Sequence, residues 1–176
     1  MTQRKARLFW IPALLLLAAV LIFVNWPGEE APPVLGAAPG ENLPDFTITC
    51  LDGSSFTLSE QRGRVVVINL WATWCTPCVK ELPGFDRLRA EHPEELTVLA
   101  VHTPPVTADV AEYLSGFSYS IPFAVDEDGS LSAALNAADV LPQTVILSPE
   151  GVVTYNQAGS LDYETLLELF EAAKSS

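Results

Sequence analysis

The chain has 176 residues, with 22 acidic side chains against 9 basic ones and a formal net charge of −13 at pH 7. That balance argues against nucleic acid and against docking on anionic lipid headgroups, since both would repel it; its plainest use is a solvated face that keeps a domain soluble. Apolar residues make up 49% of the chain, ample for one core, and the length fits one domain plus an appendage.

Arg4, Lys5 and Arg7 precede an uncharged run from Leu8 to Trp26 that is dominated by Leu, Ala, Val, Ile and Phe. The run is just long enough to span a bilayer as a helix, with Pro12 in its first turns and Trp10 and Trp26 at its ends. Every acidic residue follows it, so the positive-inside rule keeps residues 1–26 as a cytoplasmic tip and anchor and exports the rest. A cleaved signal peptide is the competing reading. Asn25-Trp26-Pro27-Gly28-Glu29-Glu30 is a poor cleavage site, which favours an uncleaved anchor. Residues 27–42 are rich in Pro, Gly, Ala and Glu without periodicity and read as a flexible tether.

The domain is expected over residues 43–176. Two short strands, Phe46 to Cys50 and Ser55 to Leu58, turn at Asp52-Gly53. Val65 to Trp71 is a continuous apolar run interrupted by Asn69, which reads as a buried strand. From Val79 to Glu91, apolar residues at 79, 82, 85 and 88 have helical spacing, with Pro83 inside the helix. Leu96 to Val101 is another buried strand. Thr107 to Ser118 reads as an amphipathic helix with Thr107 as N-cap and Val110, Leu114 and Phe117 on one face. Phe123 to Val125 is a short strand and Leu131 to Ala137 a short helix. Gln143 to Leu147 and Val152 to Tyr155 form a hairpin across Pro149-Glu150-Gly151. The last helix runs from about Asp162 to Lys174, burying Leu166, Leu169, Phe170 and Ala173. Alternating strands and helices with a final antiparallel pair make an α/β sandwich.

Between the central strand and the first long helix lies Trp74-Cys75-Thr76-Pro77-Cys78. A helix N-terminus offers unpaired N–H groups and the positive end of a dipole, which stabilise a thiolate at Cys75. Cys78, one turn on, is placed to attack any mixed disulfide that Cys75 forms, so the pair is suited to cycle between dithiol and disulfide. Two plainer readings compete. A zinc site needs four ligands, and the remaining Cys50, His92 and His102 form no second knuckle. A structural disulfide closing so short a loop would constrain the unfolded chain little.

Trp71-Ala72-Thr73-Trp74-Cys75-Thr76-Pro77-Cys78 resembles the active-site segment of the thioredoxin superfamily, nearest to its TlpA/ResA-like membrane-anchored thiol-disulfide oxidoreductases. Phe46-Thr47-Ile48 with Leu51 to Leu58 is similar to that branch's added hairpin, Gly63 to Trp71 to its first core strand, and Leu141 to Leu147 to its cis-proline loop and strand. The resemblance implies a thioredoxin-like α/β fold, a central mixed sheet flanked by helices. It further implies an N-terminal β-hairpin, a TlpA-type insertion around residues 123–137 and one preceding transmembrane helix. It makes Cys75 the nucleophile, Cys78 the resolving thiol and the two together a redox-active disulfide, with Thr76 and Pro77 setting the redox poise. Pro142 is expected to be cis, with the backbone of Leu141 pairing with the substrate chain; relatives often carry Thr at that position and at Gln143. Glu81 is expected to exchange a proton with Cys78, Asn69 standing where cytoplasmic thioredoxins have a buried acid. Trp74 should shield the disulfide, Trp71 face the core, His102 be structural, His92 solvated, and Cys50 a free buried thiol.

The implied activity is reduction of protein disulfides outside the cytoplasm, possible substrates including the haem-site cysteines of apocytochrome c, with a membrane electron donor of the CcdA/DsbD type and no cofactor or metal. The same exchange run as a thiol oxidant is the alternative. A copper chaperone would need an added histidine and wider cysteine spacing, and a peroxidase would not need a dithiol pair.

Overall fold

The computed structural model describes residues 37–137 and 140–176. The anchor expected within residues 1–26 and most of the tether lie outside these. No helix among the described residues is long and apolar enough to cross a membrane.

The fold is built on one strand. β3, Val65–Trp71, is buried at every position. A strand presents alternate residues to opposite faces, so Val65, Val67 and Trp71 enter one apolar cluster while Val66, Ile68 and Leu70 enter another. Parallel β4, Leu96–His102, lies on one side and antiparallel β6, Gln143–Leu147, on the other. β5, Phe123–Val125, and β7, Val153–Ala158, complete the order β5-β4-β3-β6-β7. The antiparallel hairpin β1, Thr47–Thr49, and β2, Ser55–Thr57, forms a separate two-stranded sheet. This is the thioredoxin-like α/β arrangement with an N-terminal hairpin.

Two helices cover the first face. α1, Thr76–Glu91, buries Cys78, Glu81, Leu82, Phe85 and Leu88, a stripe at helical spacing. It begins one turn earlier than apolar spacing predicts because Cys75 is its cap, its sulfur accepting from the Cys78 N–H at 3.3 Å. The cysteine motif is therefore the first turn of the helix. The last helix, Tyr163–Lys174, buries Leu166, Phe170 and Ala173 beside α1, with Asp162 accepting from the Thr165 N–H at 2.8 Å. Two one-turn helices, α2 over Val110–Leu114 and α3 over Ser130–Ala134, lie between, so the last helix is α4. Leu131, Leu135, the hairpin's Phe56 and Leu58 of the 3-10 turn that follows it cover the opposite face.

Several local boundaries differ from the sequence reading. α2 is shorter than 107–118 because Asp109, not Thr107, caps it, accepting from the Glu112 N–H at 3.0 Å. Phe117, expected on its apolar face, lies beyond its end and is 43% exposed. α3 starts at Ser130 because the buried Asp126 carboxylate gathers the Leu131 and Ser132 N–H groups, at 3.1 and 2.7 Å. Cys50 falls just past β1, where its N–H still donates to Ser54 O at 2.9 Å across the hairpin turn and its backbone bridges to Ala124. His92 is half-buried rather than solvated, its ring 4.7 Å from that of Phe170. The end of the expected tether is packed: Ala37 is buried, the Gly40 N–H donates to Val153 O and the Val153 N–H to Glu41 O, each at 2.8 Å. Backbone pairing needs no apolar periodicity, so composition alone does not reveal it.

Candidate active site: a disulfide beside a buried carboxylate

β3 ends at Trp71, and a four-residue connection delivers Cys75 to the start of α1. The connection is fixed from β4. The Thr103 N–H donates to Trp71 O at 2.9 Å, and the Thr73 N–H donates to His102 Nε2 at 3.1 Å. That bond requires the His102 proton on Nδ1. Burial lowers the ring's pKa below the ordinary histidine value, which favours the neutral form. Its edge meets Trp71, which is fully buried and also packs on Phe123. Trp71 faces the core as expected, and His102, expected just after a strand, is the last residue of β4 with its ring bonded to the connection.

Cys75 and Cys78 are joined in a disulfide with their Cα atoms 5.3 Å apart. Cys75 is 5% exposed and Cys78 fully buried, so a partner can reach only the first sulfur. Thr76 and Pro77 are exposed beside it. Trp74 is 52% exposed, with its indole N–H donating to Pro105 O at 3.4 Å. The Leu141–Pro142 peptide bond is cis, and Leu141 packs on the same apolar cluster that holds both cysteines. Pro142 O accepts from the Gly159 N–H at 2.8 Å. A second cis bond, Pro104–Pro105, adjoins Trp74; nothing in the residue pattern marked it. Cys50 is a free buried thiol away from this site, raised in pKa by burial.

Glu81 is one turn beyond Cys78 on the same buried face of α1, and only 7% exposed. One carboxylate oxygen accepts from Asn69 Nδ2 at 2.8 Å and the other from the Leu161 N–H at 3.0 Å. Burial raises its pKa from an ordinary 4.5 to about 7, and the two hydrogen bonds, which favour the charged form, oppose that rise. A group that titrates near neutrality can take and return a proton under working conditions. The Asn69 and Leu161 contacts escaped the sequence reading, although an amide in an otherwise apolar strand, on the face toward α1, was a usable signal. Among the described residues, no group of three or more His, Cys, Asp or Glu side chains could hold a metal.

Comparison with known proteins bears directly on this site. The Redoxin family model matches residues 38–170. The chain belongs to the redoxin family. It is 30% identical to the thiol-disulfide oxidoreductase ResA of Geobacillus kaustophilus, over 92% of this chain and 91% of that protein. To ResA of Geobacillus thermodenitrificans it is also 30% identical, over 98% of each. Among solved structures, the exposed lipoprotein thioredoxin of Streptococcus pneumoniae superposes with a TM-score of 0.67 at 26% identity, covering 73% of this chain and 99% of that one. A Chlorobium tepidum protein assigned as the thiol:disulfide interchange protein DsbE gives 0.69 at 27%, covering 77% and 97%. This redoxin is a ResA-like thiol-disulfide oxidoreductase.

Proposed function

We propose that this redoxin is a membrane-tethered reductase of protein disulfides, working outside the cytoplasm through Cys75 and Cys78. The observation that carries the reading is the asymmetry of the pair: a first cysteine that keeps 5% exposure at the cap of α1 and a second that is fully buried one turn inside it. In the reduced protein, the Cys78 N–H and the helix dipole stabilise a Cys75 thiolate. That thiolate attacks a substrate disulfide, breaking its S–S bond, and the departing substrate sulfur takes up a proton. Glu81 then accepts the Cys78 proton, and the Cys78 thiolate attacks the Cys75 sulfur of the mixed disulfide. The second substrate thiolate leaves and is protonated. Substrate gains two electrons and two protons, and Cys75–Cys78 becomes the disulfide.

Supporting roles follow from placement. In this reading Trp74 offers an apolar contact at the mouth of the site, Thr76 and Pro77 tune the poise, and the Leu141 backbone before cis Pro142 pairs with an extended substrate segment; the exposure of Trp74, Thr76 and Pro77 and the cis bond support it. The apolar run from Leu8 to Trp26 supports an anchor, and the similarity to an exposed lipoprotein thioredoxin supports an extracytoplasmic domain. A tether raises the local concentration of a membrane partner, which fits an electron donor of the CcdA/DsbD type. Apocytochrome c haem-site disulfides are the proposed substrates.

The test is the reduction potential of the Cys75–Cys78 pair in defined thiol buffers. A value near roughly −270 mV supports a reductase, while one near roughly −120 mV overturns it in favour of a disulfide-forming oxidant.

A further inference from the structure

Asn69 is fully buried on β3, on the face toward α1. Its amide is used unequally. Nδ2 donates to Glu81 Oε1 at 2.8 Å and lies 3.4 Å from Thr144 Oγ1 on the neighbouring β6. Its Oδ1 is buried without a hydrogen-bond partner. A buried acceptor left unpaired is costly, so the orientation persists only because both amide hydrogens have somewhere to go. Turning the amide over would place an oxygen against the Glu81 oxygen, which an ionised carboxylate would repel and a protonated one would welcome.

We propose that Asn69, oriented by Thr144, is a positioning residue that fixes the Glu81 carboxylate against β3 and limits how tightly it holds its proton. The inference rests on the proposed role of Glu81 in proton exchange and adds what sets that role. Both carboxylate oxygens face N–H donors, Asn69 from β3 and Leu161 from the loop before α4, an arrangement matched to the charged form. Burial pushes the other way, and the donors keep the outcome near neutrality. Among the described residues, the other titratable groups against Glu81 are the Tyr155 phenol of β7 and, once reduced, Cys78 on its own helix. Neither is cationic, so no positive charge substitutes for the amide.

The experiment is a pH titration of the Glu81 carboxyl by carbon NMR on the oxidised, full-length protein carrying labelled glutamate, with Glu81→Gln identifying the resonance. Asn69→Leu should raise the midpoint by about one pH unit or more, a tenfold change in proton affinity. Thr144→Val, nearly isosteric and still able to pack in the sheet, should raise it by a smaller step in the same direction. Asn69→Asp should split the titration into two steps, since two adjacent carboxyls share a proton. Midpoints in Asn69→Leu and Thr144→Val that both stay at the native value would overturn the proposal; if Asn69→Leu does not fold, Thr144→Val decides. No thiol reacts in this measurement, so it is independent of whether Glu81 serves Cys78. That separate question is answered by whether Glu81→Gln alters the pH dependence of thiol exchange.

Discussion

Replacing Glu81 with Gln should flatten the pH dependence of stability. In the folded protein Glu81 titrates at about 7, against 4.5 ordinarily. Between those values the native state keeps a proton that the unfolded chain has already released. Stability therefore falls as pH rises through that window and levels off above the folded pKa. Integrating the two titration curves between pH 5 and pH 8 gives a loss of about 2.5 kcal/mol from this one group. Glu81 is almost fully buried, so little solvent screening reduces the figure. Gln cannot ionise, and its amide will meet the Asn69 and Leu161 donors less well, but that cost is the same at both pH values and cancels in the difference. The assay is urea unfolding of the oxidised native protein and of Glu81→Gln at pH 5 and pH 8, with the disulfide intact so that neither cysteine titrates. The native protein should lose about 2.5 kcal/mol more than the variant across the interval. Equal losses in the two proteins would refute the claim that burial governs this carboxyl.

Phe170, fully buried beneath α4 against the ring of His92, should cost about 4 kcal/mol when cut to Ala, read from the urea midpoint. Gly151 has a φ of 82° and the Arg62 guanidinium lies over it, donating to Glu150 O. Gly151→Ala should cost about 1–2 kcal/mol for the left-handed backbone, and a double-mutant cycle with Arg62→Ala should show coupling, because an added Cβ displaces the guanidinium. Cys50, buried and raised in pKa, should resist iodoacetamide at pH 8 in the oxidised native protein and react stoichiometrically once unfolded. Rapid labelling of the native state would show that the thiol is accessible. Cys78→Ser should leave Cys75 able to attack but unable to be released, so a substrate mixed disulfide should accumulate and be visible by intact mass.

Residue order alone determined the central strand, the cysteine motif at a strand-to-helix junction and the last helix with its buried face. Each is a local signal: an uninterrupted apolar run, two cysteines one turn apart, apolar residues at helical spacing. Val65–Trp71 and Gln143–Leu147 have the same limits in the structure as in the sequence reading because both faces of these strands are buried. The short elements were less legible. Asp109 and Asp126 set the starts of α2 and α3 by accepting N–H groups, and neither helix is long enough for periodicity to locate it. Only the tertiary structure decided what surrounds Glu81. Its partners come from residue 69 on one strand and residue 161 in a distant loop, and its proton affinity is a balance between burial and those two donors. The packing of residues 37–42 against β7 was equally hidden, because backbone hydrogen bonds between remote segments leave no mark on side-chain pattern. The nucleophile is written in a motif; the environment that sets proton transfer exists only where the folded chain brings those segments together.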